Sequence, residues 1–285
     1  MSLPARRAEA LGASLPPLLV AAERVAATVA QGVHGRRRVG QGDSFWQFRP
    51  FLPGDPASRI DWRQSARSDR AFVRETEWEA AQTVALWRDG GPSMRWRKAG
   101  PVDKAERAEL LLLALAALLL RGGERVRLIG DPARPVGALD QLAARLERLP
   151  DGDGMPPEAP LPRHAQVVLI GDFLAPLETI QAAVSRLAAI PVRGHLLQVL
   201  DPAEADLPYQ GRVRFEGLRR EAATLISRVE GVREEYAARL AAQQAGLLAI
   251  CRAAGWGLSL HRTDQPPQPA LLGLYMALAP RLDRR

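Results

Sequence analysis

From residue 83 onward the chain alternates short apolar runs with longer helical ones, and this alternation limits the fold more than any other feature. Thr83-Val-Ala-Leu-Trp, Arg125-Val-Arg-Leu-Ile, Gln166-Val-Val-Leu-Ile, Gly194-His-Leu-Leu-Gln-Val-Leu and Trp256-Gly-Leu-Ser-Leu-His read as strands. Helical spacing falls between them, over 103–121, 139–149, 176–189 and 219–254, with a last helix over 268–279. The stripe Leu225, Val229, Val232, Tyr236 and Leu240 defines the long one. The stretch 150–163 is rich in proline and glycine and reads as a loop. Strands feeding helices in this order predict an α/β fold, a doubly wound and mostly parallel sheet with helices on both faces.

Upstream the pattern differs. Leu18, Ala22, Val25, Ala26 and Val29 predict a helix within 16–33, and glycines from Gly32 onward break it. Residues 44–80 then concentrate aromatics, including Phe45, Trp46, Phe48, Phe51, Trp62, Phe72 and Trp78. Ala71 to Glu77 alternates well enough for a strand. This region predicts a small N-terminal β-rich appendage whose irregular centre is FLPGDPASRIDWRQSAR, residues 51–67. The expected division is 1–80 for the N-terminal helix and appendage, and 81–285 for the sheet domain.

The formal charge is +7, and all but two of the 39 basic residues, Lys98 and Lys104, are arginine. The longest basic run is Arg36-Arg37-Arg38, and the other arginines alternate with Glu and Ala on helix faces. A solvated surface explains that dispersal better than a nucleic-acid footprint, which concentrates charge. An arginine-rich nucleic-acid binder stands as an alternative, tested by salt-dependent retention on duplex DNA. Cys251 is the sole cysteine and lies in an apolar run, which excludes a disulfide framework and a cysteine metal cluster. The longest apolar run, Leu110 to Leu120, is too short for a bilayer span of about 20 residues. A cytoplasmic protein without a membrane span is therefore expected. No phosphate-binding Gly-x-x-x-x-Gly-Lys occurs, and His34, His164, His195 and His261 are scattered without ligand spacing.

In open α/β sheets, ligands bind beyond the carboxyl ends of the strands where strand order reverses. Three predicted strands end in an aspartate, Asp89, Asp172 and Asp201. Asp89, the hydroxyl of Ser93 and Asp172 together offer oxygens suited to a hard divalent cation. The competing reading makes Asp89 and Asp172 helix caps. The loop after Asp89 also offers Met94, Arg95 and Trp96, types suited to an interface, and with Phe173 beyond Asp172 they define the expected partner-binding face.

Asp89-Gly-Gly-Pro-Ser93-Met94 and Gly171-Asp172-Phe173 resemble the metal-ion-dependent adhesion site of von Willebrand factor A-like domains, usually Asp-x-Ser-x-Ser with a distant threonine and aspartate. The segment 42–79, GDSFWQFRPFLPGDPASRIDWRQSARSDRAFVRETEWE, closely resembles the signature of the bacterial "domain of unknown function 58" family. LLQVLDPAEADLP at 196–208 and VREEYAARL at 232–240 resemble its C-terminal half. The resemblance implies a von Willebrand A-like fold and an association with MoxR-type AAA+ ATPases, hence a non-enzymatic adaptor in protein complex assembly or maturation. It marks Pro53, Gly54, Asp55, Arg59, Asp61, Trp62, Ser65, Ala66 and Arg67 as signature positions. Physically, Trp62 has the area to plug the appendage onto the sheet domain, and Asp61 with Arg67 suits a charge-assisted pair, so the loop is expected to be a structural clasp. The metal motif is degenerate: Gly91 stands where a serine is expected, and no threonine lies between the second strand and Asp172. No cofactor is expected beyond weakly held Mg²⁺, in the millimolar range of poor oxygen sites. A metal-assisted hydrolase at Asp89 and Asp172 is the enzymatic alternative.

Overall fold

A computed structural model describes residues 22, 24–30, 44–52, 55, 60–67, 70–77, 82–98, 102–218 and 222–278. The signature positions Pro53, Gly54 and Arg59 and the basic run Arg36–Arg38 lie outside them. The chain divides into two compact units, 33–81 and the remainder, with residues 1–32 grouped with the C-terminal part.

The larger unit is α/β. Its central sheet has five strands: β3 (Thr83–Arg88), β4 (Arg125–Leu128), β5 (Gln166–Gly171), β6 (Arg193–Leu200) and β9 (Gly257–Arg262). All four pairings are parallel and the spatial order is β4-β3-β5-β6-β9, so strand order reverses between β3 and β5. Purely parallel sheets are buried on both faces, which is why β5 reads as an unbroken apolar run and is buried at every position.

Alternation along the strands divides the core. Ala85, Trp87, Val167, Leu169 and Leu196 pack with Ile180, Val184 and Leu187 of α5 (Leu177–Ala188) and Leu247 and Cys251 of α7 (Arg233–Ala253). The leucine-rich α3 (Lys104–Arg121) covers the sheet together with α8 (Pro267–Ala277) and α4 (Leu139–Leu146). Asp103 caps α3 by accepting from Glu106 N at 2.7 Å, and Gly122 closes its C-terminus.

The predicted helix over 219–254 is corrected. Thr224–Ile226 is instead β8, paired antiparallel with β7 (Val213–Phe215), and α7 begins only at Arg233 after a 3-10 turn at Val229–Val232. Val229 is fully buried, so its apolar spacing from Val232 and Tyr236 served a turn rather than a helix face. A short helix, α6 (Pro202–Asp206), is also present. Asp201 and Glu204 form a reciprocal capping box around Pro202 at its first position.

In the unit 33–81, β1 (Ser44–Pro50) pairs antiparallel with β2 (Phe72–Glu77), with an irregularity between Phe45 and Gln47. Ile60 bridges Val73, and α2 (Trp62–Ser65) is a single helical turn in the connecting loop. Helix α1 covers 24–30 in the other unit.

Candidate functional site

The strand reversal between β3 and β5 brings their carboxyl ends together, and Asp89 N donates to Ile170 O at 2.8 Å to close the ladder. Asp89, Asp172 and Asp201 follow β3, β5 and β6, and each is at most 1% exposed. Their carboxylates are engaged locally. Asp89 Oδ1 accepts from Gly91 N at 2.6 Å, folding the loop back as an Asx turn rather than capping a helix. Asp172 Oδ1 accepts from Leu174 N at 3.3 Å. Asp201 accepts from Ala203 N at 2.8 Å through Oδ1 and from Lys98 N at 3.2 Å through Oδ2.

The residue that organises this end is one the strand-end reasoning missed. Lys104, in the first turn of α3, is fully buried, and its Nζ donates to Asp172 Oδ2 at 3.1 Å and to Glu204 Oε1 at 2.5 Å. Glu204 in turn accepts from Asp201 N at 3.0 Å. Burial pushes the Glu204 carboxyl above the usual carboxylate range, against the pull of the Lys104 ammonium. Gln198 Nε2 donates to Asp172 O at 2.8 Å, and Gln243 Nε2 to Phe173 O and Ala175 O at 3.0 and 2.8 Å, so the loop after β5 is held at its backbone.

With the Lys104 ammonium in place, these residues do not fit a divalent ion. Gly91 offers no side-chain oxygen, and the Asp172 carboxylate already holds an ammonium. A metal on the same carboxylate would lie about 4–5 Å from Nζ, a repulsion on the order of 7 kcal/mol at an effective dielectric near 20. Among the described residues no three His, Cys, Asp or Glu side chains are placed to hold a metal ion. Ser93 sits half-exposed in the 3-10 turn Pro92–Arg95.

Two of the four expected partner-binding residues are corrected. Met94 is fully buried, because the 3-10 turn directs it inward, and that turn packs on α3. Phe173 is 2% exposed: its left-handed backbone, φ 48°, turns the ring into the core, 6.4 Å from the Trp87 ring. Arg95 is exposed and pairs with Asp151, while Trp96 is half-exposed. Beside them lies a cavity of about 900 Å³ between the ends of β3 and β4, the loop 149–158 and α5, lined by Trp87, Ile129, Met155, Pro156 and Ala183. Its arginines are engaged, Arg88 with Glu109 at 3.0 Å and Arg186 with Pro156 O at 2.8 Å.

In the signature loop, Asp61 caps α2 by accepting from Gln64 N at 2.9 Å rather than pairing with Arg67. Ser65 Oγ donates to Asp61 O at 2.7 Å and accepts from Phe72 N at 2.9 Å, and Asp61 N donates to Phe72 O at 2.9 Å. Asp55 accepts from Leu52 N at 2.9 Å. Arg67 and Ala66 end the turn, with Arg67 exposed. Asp61 and Ser65 thus pin the loop to β2. Trp62 is not buried as a clasp requires: it is 69% exposed, with Leu52 exposed as well. The N-cap position aims its carboxylate along the helix and leaves the next side chain outward. Asp61→Ala is accordingly expected to cost about 1 kcal/mol, the loss of one cap, read by chemical denaturation.

Two buried histidines are expected to make the sheet unit acid-sensitive. His195 shares a hydrogen bond of 2.8 Å with Ser259 Oγ, and His261 Nε2 lies 3.1 Å from the Arg107 guanidinium. Burial lowers both to about 4, and for His261 the Arg107 charge adds to it. A lowered folded-state pKa means the stability due to the neutral rings is complete above their ordinary value of about 6.5 and is lost as pH falls toward 4. Melting temperature should therefore hold steady near neutrality and fall across that window, and His261→Gln should flatten part of the fall.

The larger unit is thus a parallel α/β sheet with buried acids at its strand ends, and the unit 33–81 an antiparallel strand pair with a pinned loop. The profile of the family described as "Protein of unknown function DUF58" matches residues 47–246, and the chain belongs to that family. Uncharacterized proteins of Mycobacterium tuberculosis and Mycobacterium bovis are each 26% identical over 284 residues, covering 90% of this chain and 86% of theirs. The crystal structure of the conserved hypothetical protein BatB from Bacteroides thetaiotaomicron is 17% identical, with a TM-score of 0.39, covering 70% of this chain and 97% of that one.

Proposed function

We propose that the protein is a non-enzymatic interaction module whose sheet unit is a von Willebrand factor A-like domain with a degenerate metal site. It works in the cytoplasm as an adaptor for a MoxR-type AAA+ ATPase in the assembly or maturation of protein complexes. The observation that carries this reading is Trp62: a signature tryptophan 69% exposed on a loop whose backbone is fixed by Asp61 and Ser65. A loop whose backbone is fixed before binding loses less conformational entropy when a partner covers it, and tryptophan is among the residue types enriched in hot spots. The engagement of Asp172, Asp201 and Glu204 in a turn, a cap and an ion pair supports a structural use of the strand ends over a hydrolytic one. Among the described residues no helix is long and apolar enough to cross a membrane.

The partnership is tested by purifying the tagged chain from its native host and identifying co-purifying proteins by mass spectrometry, with and without ATP, since the ATPase ring changes shape with nucleotide. Enrichment of a MoxR-type ATPase over an unrelated tagged control is the expected result. Its absence in both nucleotide states removes that partner.

A further inference from the structure

We propose that Lys104 is the resident cation of the strand-end site: its ammonium supplies, from within the fold, the positive charge that a divalent ion would supply there. The inference rests on the von Willebrand A-like reading of the sheet but not on the identity of any partner. The ammonium reaches Asp172 and Glu204 from 68 and 100 residues away in sequence, and its side chain is 0% exposed. Removing one partner from a buried ion pair is strongly unfavourable, so Asp172 and Glu204, which meet at the ammonium, call for a cation of some kind. Composition supports the choice of residue. In a chain that uses arginine at every other basic position except Lys98, the most buried basic residue among the described ones is a lysine. A guanidinium is planar and forked, whereas an ammonium is a compact point charge, the shape nearest to a metal ion.

The consequence is a site whose cation cannot exchange. Contacts made at this end of the sheet are then independent of Mg²⁺ or Ca²⁺, and no carboxylate from a partner can complete a metal's coordination there.

The test compares wild type with Lys104→Ala in thermal melts and Mn²⁺ titrations followed by electron paramagnetic resonance. Wild type should show no micromolar Mn²⁺ binding and no metal-dependent rise in melting temperature. Lys104→Ala in EDTA should melt about 10 °C lower. Adding Mn²⁺ should recover half or more of that loss, and Lys104→Ala with Asp172→Asn should recover none of it. Micromolar Mn²⁺ binding by wild type overturns the proposal, as does Lys104→Ala melting like wild type, or a folded Lys104→Ala that takes up no metal. If Lys104→Ala does not fold in EDTA, refolding with Mn²⁺ reads the same question: recovery only with the metal supports the proposal, and failure with and without it overturns it. None of these readouts involves the ATPase, so a failed partnership would leave them unchanged.

Discussion

Gly194→Ala is expected to destabilise the sheet-containing unit by about 3–5 kcal/mol, a fall in melting temperature of about 10 °C. A Cβ at Gly194 would lie 2.0 Å from Trp256 Cδ2 and 2.2 Å from Cε3, far inside contact distance. Gly194 enters β6, and Trp256 lies just before β9, its parallel neighbour, in register His195 with Gly257. The indole is 5% exposed and belongs to the core between the sheet, α5 and α7. A rigid ring cannot yield as a leucine end would, so one methyl group forces the whole indole out or bends the strand. The cost should therefore approach that of Trp256→Ala itself. A double-mutant cycle separates the two: in a Trp256→Ala background, Gly194→Ala should cost little. A melting curve for Gly194→Ala that overlays wild type would show that the ring has another place to go.

That close approach was partly legible in sequence, since a glycine inside an apolar strand marks a backbone another group must reach. Its partner, Trp256, was not identifiable, because β6 and β9 meet only in the folded sheet. The alternating strands and helices were readable for a similar local reason. Parallel strands are apolar on both faces, so Gln166 to Ile170 announced β5, and the leucines after Asp103 announced α3. The stretch 219–254 misled because Leu225, Val229 and Val232 share helical spacing, while Leu225 lies exposed in a hairpin strand and only Val229 is fully buried, in a 3-10 turn. The Asp201-Pro-Ala-Glu204 pattern carried a readable capping signal for α6, namely an acid at the cap, proline first and glutamate third.

At the candidate sites the limits were of another kind. The α/β pattern alone put an aspartate after each of three strands, and β3, β5 and β6 are neighbours in the sheet. Lys104 escaped because it belongs to a helix start and reaches those strand ends only through the tertiary fold. Its rarity as a lysine among arginines was the one signal available. Met94 and Phe173 fell within exposed-looking loops, yet a 3-10 turn and a left-handed residue direct them inward, and neither conformation is written in residue type. Trp62 shows the converse: its size predicts that it covers something, but not whether that surface is its own fold or a partner's.

The most direct test of the interaction reading is the affinity of the cognate MoxR-type ATPase for immobilised wild-type chain and for Trp62→Ala, measured with and without ATP. Because Trp62 is exposed, Trp62→Ala should leave the melting temperature nearly unchanged, within about 0.5 kcal/mol of wild-type stability. Loss of a hot-spot tryptophan should nonetheless weaken binding by about 30-fold or more. Arg95→Glu with Trp96→Ala, at the exposed rim of the strand ends, serves as the comparison and should retain most of the affinity. Full binding by a folded Trp62→Ala chain would contradict the account, and loss of binding in the Arg95–Trp96 variant instead would move the contact to the strand ends.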